Sequence, residues 1–306
     1  MRSAMVSGAS GFIGSYLTKR LLEEGVKVYG IGTNRKKLDD LRFEGDFVPI
    51  VADFRSYDSL ERYIDDEEID VFYHMAWEGG FTSALKDHKL QYKNSKAACD
   101  AIVSASKMKS VKKFVYAGTV NQMEIYQFLY KDDFIPRNNW VYASTKVAAD
   151  MICRTLAYNY GMEYCCALIP LLYGVGNASP QLINIVIKNC YSGTPSKLIK
   201  GDNKYDIVHV SDVVEGLYRI GTTGKNMRSY YIGHRSLNTF REVVENIRDA
   251  INPEAELKFG EYPESLNLDY SSIDLECLYK DTGFECGADF VETIREQADW
   301  LKTIGF

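Results

Sequence analysis

Charge is nearly balanced in this chain. Lysine and arginine total 36 against 42 aspartates and glutamates, a net charge of -6. No basic block occurs, which argues against nucleic acid as a partner. No apolar run approaches the ~20 residues that cross a bilayer, so no membrane partner is expected. A cleaved signal peptide does not fit either, because a glycine turn begins at residue 8, and a cytoplasmic protein is the expectation. The seven cysteines form no C-x-x-C pair, and Cys165 and Cys166 adjoin inside an apolar run. They read as small hydrophobes in a reducing compartment. Histidines stand only at 74, 88, 209 and 234, without metal-site spacing, so no metal is expected. Internal repeats and low-complexity linkers are missing too. What remains is ordinary globular composition, 46% hydrophobic over 306 residues, enough for one large core or two intimate ones.

Against that background one segment stands out, Gly8-Ala9-Ser10-Gly11-Phe12-Ile13-Gly14. It follows an apolar run that starts almost at the first residue and opens a helical pattern. Gly8 permits a tight turn, Gly11 admits a pyrophosphate close to backbone, and Gly14 lets helix and strand pack closely. The helix start then offers unpaired N–H groups and partial positive charge to an anion. An ordinary glycine-rich β–α turn is the alternative. Its position at the head of an alternating chain favours a dinucleotide site.

Strand-like runs are expected at 3–7, 27–31, 47–51, 71–74, 113–117 and 164–169, with a later one at 229–232. Helical patterns fall at 12–24, 35–41, 56–65, 84–108 and 142–160. This alternation predicts an α/β fold, a parallel sheet covered on both faces. After Pro170 the rhythm weakens, with helical segments at 180–192, 212–222, 238–250 and 289–303. Residues 1–169 are expected to form a dinucleotide-binding domain to which 205–233 return. Residues 170–204 and 234–306 would build a smaller, interleaved substrate lobe.

Ligands of such sheets bind where strands end at their carboxyl side. After the second strand stand Asn34, Arg35 and Lys36, with no acid to hold an NAD ribose. Two cations suit the 2′-phosphate of NADP, although they also fit a solvated helix start. Asp53 and Phe54 follow the third strand. A carboxylate there can accept from adenine, or simply cap a helix. Met75, Ala76 and Trp77 follow the fourth strand, where small residues let chain pass close to a cofactor. Thr119 follows the fifth. Beyond it, Tyr142 and Lys146 stand at i and i+4 and share one helix face. An ammonium near a phenol stabilises the phenolate and lowers its pKa, so Tyr142 could exchange a proton with a sugar oxygen that Thr119 holds. Tyr92 and Lys96 show the same spacing, without a hydroxyl residue at a preceding strand end.

Together the GASGFIG turn, Asp53, His74-Met75-Ala76, Thr119, Tyr142-x-x-x-Lys146 and the later Ile207-Val-His-Val-Ser-Asp-Val-Val resemble the extended short-chain dehydrogenase/reductases. The likeness is greatest to the branch acting on nucleotide sugars: 4-epimerases, 4,6-dehydratases and 4-ketoreductases. It implies a Rossmann-type doubly wound sheet, with Thr119, Tyr142 and Lys146 catalytic. It also implies cofactor contacts or support from Gly8, Ser10, Gly11, Phe12, Ile13, Gly14, Asp53, Asn94, Pro170 and Tyr173. Three departures matter. Val120 and Asn121 stand where dehydratases of the family carry an acid pair. Pro170-Leu-Leu-Tyr173-Gly174 lacks the asparagine that many members place there, and Tyr205 precedes Asp206 where many have arginine. The aromatics Tyr126, Phe128, Tyr130 and Trp140 are expected to border the sugar site.

The expected activity is NADP(H)-linked reduction of a nucleotide-linked 4-keto-6-deoxyhexose, with NAD(H) possible. A 4-epimerase that retains NAD uses the same residues. A dinucleotide-binding sensor without turnover is the reading from another class, and it would need none of the three catalytic residues. A nucleotide-diphosphate sugar is the expected ligand. A homodimer through 84–108 and 142–160 is the expected assembly, with Ala98, Ile102, Ala148 and Ile152 as candidate packing residues.

Overall fold

The computed structural model describes the chain apart from residues 42–44, 65–67, 80–81, 109–110, 133–135, 138 and 264–267. Six apolar strands alternate with helices along its first half. They are β1 (Ser3–Ser7), β2 (Lys27–Gly32), β3 (Phe47–Val51), β4 (Val71–His74), β5 (Lys113–Thr119) and β6 (Glu163–Ile169). The helices between them are α1 (Phe12–Glu23), α2 (Arg35–Asp39), α3 (His88–Lys107), α4 (Asn121–Phe128) and α5 (Trp140–Asn159). The later part holds β7 (Leu171–Tyr173), α6 (Leu182–Ser192), β8 (Ser196–Leu198), β9 (Lys204–Tyr205), β10 (Ile207–His209) and α7 (Val210–Thr223). It ends with β11 (Arg228–Tyr231), β12 (Asn238–Thr239), α8 (Phe240–Ile251), β13 (Leu257–Phe259), α9 (Cys277–Thr282) and α10 (Phe290–Thr303).

Seven strands form one sheet in the order β11-β6-β5-β4-β1-β2-β3, every pair parallel. Strand order reverses between β1 and β4. That is the crevice where a doubly wound sheet receives its ligand. Strands β1, β4 and β5 are buried along their whole length, as a sheet covered on both faces requires. Leu17 and Leu21 of α1 join Val213 and Leu217 of α7 in one core; Ala98 and Ile102 of α3 join Ala149 and Cys153 of α5 in the other. A third core gathers α6, α8 and α10 around Ile187, Phe240, Ile247 and Ile294. Two carboxylates start helices there. Glu242 closes a capping box with Thr239 on α8, and Asp289 accepts from Glu292 N on α10.

Some expectations change in detail. The segment expected as one helix at 84–108 divides into a 3₁₀ turn, Thr82–Lys86, and α3. Asp87 makes the division, since its carboxylate accepts from the amides of Lys89 and Leu90 and caps α3. The helical pattern at 56–65, of which position 65 lies outside the described residues, is only in part regular. The chain there is a 3₁₀ helix, Phe54–Tyr63, kinked at Ser59. Helices α4 and α9 and the short strands β7, β8, β9, β10, β12 and β13 carry too few residues for a periodic pattern to show. Among the described residues no helix is long and apolar enough to cross a membrane, and no cluster of His, Cys, Asp or Glu could hold a metal ion.

Candidate active site

A cavity of about 780 Å³ opens along the carboxyl ends of β1, β4, β5 and β6. Its wall begins at the glycine turn. Gly8 has φ +71, and a Cβ added there would meet Cα of Ala76 at 2.9 Å. At Gly14 an added Cβ would stand 2.1 Å from the Gly8 carbonyl. The turn is therefore a cradle that any side chain would fill. Gly11 is the N-cap of α1 and supplies no side-chain cap, so the N-terminal amides of that helix remain for a ligand. These features fit a dinucleotide pyrophosphate. Ser10, Gly11, Phe12 and Ile13 line the cavity with Gly8 and Gly14.

The loop after β4 lies against this cradle. Met75 N donates to the Ser7 carbonyl at 3.2 Å, and Ala76 N to Ser7 Oγ at 3.3 Å. Asn94 is fully buried and pins the loop's far end, accepting from Glu78 N at 3.0 Å and donating to Glu78 O at 2.8 Å. It stands behind the wall rather than in it, as a support for the loop. His74 lies beneath, its Nδ1 3.0 Å from Ser7 Oγ and its ring stacked with those of Phe114 and Tyr116. Burial pushes its pKa down to about 3, so it stays neutral. Met75, Ala76, Trp77, Phe54 and Pro170 all line the cavity.

Other expected contacts sit elsewhere. Asn34 caps α2 by accepting from Lys37 N. Arg35 pairs with Asp39 at 3.0 Å on the surface of α2. Neither these two nor Lys36 lines the cavity; Gly32 and Thr33, immediately before them, do. Asp53 caps its 3₁₀ helix through Arg55 N and holds the Arg55 side chain, which leaves it off the cavity wall as well. Tyr173 is buried with its hydroxyl 2.7 Å from Thr293 Oγ1, in the third core.

Thr119, Tyr142 and Lys146 converge on the cavity floor. Thr119 ends β5, where the Gln122 side chain accepts its amide at 2.9 Å and its own hydroxyl oxygen accepts from Asn121 N. Tyr142 and Lys146 share a face of α5, as their spacing requires. The Thr119 hydroxyl, as a hydrogen-bond partner, pulls the Tyr142 phenol down, against the larger effect of burial. The expected lowering of the Tyr142 phenol by Lys146 is not what the structure shows. Desolvation pushes Tyr142 up to about 12 and Lys146 down to about 7. The reason is where the ammonium points. It donates to the Ala117 carbonyl at 2.7 Å and lies over the Trp77 ring, while the Tyr142 ring centroid is 5.9 Å away. Trp77 stands edge-on to Tyr142 at 6.0 Å and donates to Gln91 Oε1. The other tyrosine of equal spacing, Tyr92, is 63% exposed, and Lys96 pairs with Asp100.

The far end of the cavity differs from expectation. Tyr126 and Tyr130 point to solvent, and Phe128 stacks on Trp140. None of these four lines the cavity; Asn121, Glu124, Arg137 and Asn139 do. No periodic signal marks Glu124 and Arg137 as partners across 13 positions, so sequence reasoning missed them. Lys204, Tyr205 and Asp206 complete that end with Tyr270. Asp206 accepts from Tyr231 Oη at 2.5 Å and from His234 N and Nδ1 at 3.0 and 2.7 Å. That bond raises the pKa of His234.

Residues 4–233 match the family described as NAD dependent epimerase/dehydratase. The fold is similar to that of a UDP-N-acetylglucosamine 4-epimerase from Methanobrevibacter ruminantium M1 in complex with UDP-N-acetylmuramic acid. The TM-score is 0.79 at 20% identity, covering 99% of each chain. It is also similar to the UDP-glucuronic acid 4-epimerase of Bacillus cereus in complex with UDP-glucuronic acid and NAD. There the TM-score is 0.76 at 19% identity, again covering 99% of each chain. In sequence, a dihydroflavonol 4-reductase from Callistephus chinensis is 30% identical over 188 residues, 55% of this chain and 51% of its own.

Proposed function

The chain belongs to the NAD dependent epimerase/dehydratase family, and from that premise we propose that it reduces the C4 ketone of a nucleotide-linked 4-keto-6-deoxyhexose. One observation carries the oxidoreductase reading, that Thr119, Tyr142 and Lys146 meet on the floor of the cavity that begins at the glycine cradle, and the cations at 35 and 36 turn it toward a reductase. A sensor that merely bound dinucleotide would need none of the three.

A nicotinamide dinucleotide bound along Gly8 to Gly14 supplies the hydride. The chain's residues handle the proton. Tyr142 donates its phenolic hydrogen to the carbonyl oxygen as that oxygen gains charge, and Thr119 holds the same oxygen by a hydrogen bond. Lys146, on the same helix face as Tyr142, would hold a ribose hydroxyl of the cofactor and, as an ammonium, stabilise the phenolate that Tyr142 leaves behind. A dehydratase needs an acid and a base beside Thr119. Glu124 alone, held by Arg137 and Trp140, does not supply both.

NADP(H) is the proposed cofactor form. The support is the missing acid at residues 32–36. The Arg35–Asp39 pair does not stand in the way, because an exposed i,i+4 pair is worth only about 0.3–0.5 kcal/mol. A bond to a 2′-phosphate is worth about 1.5–3 kcal/mol and would win Arg35 from Asp39. The substrate is proposed to be a nucleotide-diphosphate sugar, as in the UDP-sugar complexes of the similar structures.

A second reading is a 4-epimerase that keeps its NAD and returns the hydride to the opposite face of C4. The names of the similar structures favour it. The deciding experiment supplies a nucleotide-linked 4-keto-6-deoxyhexose with NADPH and follows loss of the reduced nicotinamide absorbance. A parallel tube holds a fully hydroxylated nucleotide hexose without added cofactor. Stoichiometric NADPH consumption supports the reductase. No consumption, with a C4-inverted hexose in the second tube, makes the protein an epimerase.

A further inference from the structure

We propose that Glu124 and Arg137 read the sugar, and that as a pair they admit a neutral hexose and turn away a hexuronate. The inference rests on the nucleotide-sugar reading above and names the class of sugar.

Both side chains line the cavity on the wall that carries Thr119, Asn121 and Tyr142. Glu124 sits in the first turn of α4, five residues beyond Thr119, and is only 6% exposed. Its Oε1 lies 2.9 Å from Arg137 Nη2, and its Oε2 accepts from Trp140 Nε1 at 3.3 Å. The pair is close but poorly aligned. Among the described residues, Nε and Nη2 of Arg137 are buried and find no hydrogen-bond partner, so their N–H directions miss the carboxylate. The protein thus places a guanidinium at the sugar end of its site and leaves its donors incompletely used, which a native structure rarely does without a reason.

A lone guanidinium there would suit a carboxylate, through two parallel N–H···O bonds. This guanidinium is not alone. Glu124 stands fixed beside it and brings the pair to zero net charge. A uronate carboxylate at this wall would put two carboxylates around one guanidinium, one of them the buried and poorly screened Glu124. An uncharged C6 substituent, the methyl of a 6-deoxyhexose or a hydroxymethyl, meets no such conflict. A hydroxymethyl in addition donates to the Glu124 carboxylate and accepts from the Arg137 guanidinium, since one oxygen carries both functions. The pair therefore admits an uncharged substituent, and its match to a uronate is poor.

The test is calorimetric titration of the full chain. The diphosphates of uridine, cytidine, thymidine and guanosine are titrated first to find the preferred base. Glucose and glucuronate conjugates of that base are then compared. The wild type is expected to bind the glucose conjugate at least about tenfold tighter, a ratio equal to about 1.4 kcal/mol. Glu124→Gln keeps the shape and removes the charge. It is expected to bring the two affinities within about threefold, by tightening the glucuronate. Equal affinities in the wild type, or tighter glucuronate, overturn the proposal, as does an unchanged ratio in Glu124→Gln. If that variant does not fold, the wild-type ratio decides. If a nucleoside diphosphate binds and neither conjugate does, the nucleotide-sugar reading itself fails, a result distinct from equal binding of both.

Discussion

The ammonium of Lys146 lies 3.7 Å from the centroid of the Trp77 indole ring. The cation on α5 is thereby docked against the loop after β4, with the Ala117 carbonyl taking one of its hydrogens. It is fixed near the phenol it would assist, without yet assisting it. Both groups pay for burial in their pKa values, Tyr142 upward and Lys146 downward. A ligand hydroxyl that draws Lys146 away from Trp77 would reverse both trends, which links cofactor binding to the readiness of the acid.

Tyr142→Phe deletes one oxygen and keeps the ring edge-on to Trp77, so the fold survives. Turnover is expected to fall by about 10²–10⁴-fold, the usual worth of a positioned acid. Tyr92→Phe alters an exposed ring on α3 and is expected to leave turnover within about twofold of wild type, far below that range. Steady-state rates of the two variants check this, and similar losses in both would remove Tyr142 from its role.

Lys146 makes stability depend on pH in a calculable direction. Its pKa is about 7 folded, against 10.5 as the ordinary value. Between these limits the unfolded chain holds a proton that the folded chain lacks. This contribution to stability is present above the unfolded value and is lost as pH falls toward 7. Lys146→Met removes the group. Its urea-unfolding free energy relative to wild type should be most favourable near pH 7 and decline toward about pH 10. A difference that does not change with pH would show Lys146 charged in the folded protein.

Gly14→Ala puts a methyl group into the Gly8 carbonyl, 2.1 Å away. Backbone must shift, at a cost of about 1–3 kcal/mol, and the cradle loses its shape. Dinucleotide affinity is expected to fall at least about tenfold. Gly25→Ala is the control: φ is +70, but no atom lies within 4 Å of its added Cβ. It should cost stability through backbone strain of about 1 kcal/mol and leave affinity alone. Thermal denaturation and fluorescence titration separate the two effects.

Arg35→Ala tests the form of the cofactor. If Arg35 leaves Asp39 for a 2′-phosphate, the substitution weakens NADPH about tenfold, the loss of one charge-assisted bond, and leaves NADH unchanged. Tighter NADH binding in the wild type, insensitive to the substitution, would assign NAD(H), the form held by the similar Bacillus cereus structure.

Assembly should follow α3 and α5. Ala98 and Ile102 are fully buried against the sheet and cannot meet a partner, whereas Ile152 is 47% exposed and Met151 50%. A two-fold dimer across these helices is expected, and Ile152→Glu should shift it toward monomer. Light scattering at micromolar concentration reads both species. A wild-type monomer there would reject this interface.

Much of this architecture was legible because it is local. The strands at 3–7, 47–51 and 71–74 have the expected bounds, since each is a short apolar run closed by turn residues. The cradle was legible because glycine is demanded at 8 by a positive φ and at 14 by the close Gly8 carbonyl. The spacing of Tyr142 and Lys146 was legible because a helix turns every 3.6 residues. Asp53 and Arg35 show the limit of such reading. A carboxylate before a helix can cap it or meet a ligand, and an arginine can pair with Asp39 or with a phosphate. Sequence carries both possibilities without ranking them.

Local pattern in the chain sets the alternation of strand and helix, the glycine cradle and the shared helix face of Tyr142 and Lys146. Each depends on neighbours a few positions apart. Only the tertiary structure decided that Lys146 faces Trp77 instead of Tyr142, that Asn94 braces a loop from behind, and that Glu124 meets Arg137. Those relations join segments 13 to 69 residues apart, and desolvation in a packed interior sets their charges. Neither packing distance nor burial is written in local pattern, so the protonation and selectivity of the site exist only once the chain has folded.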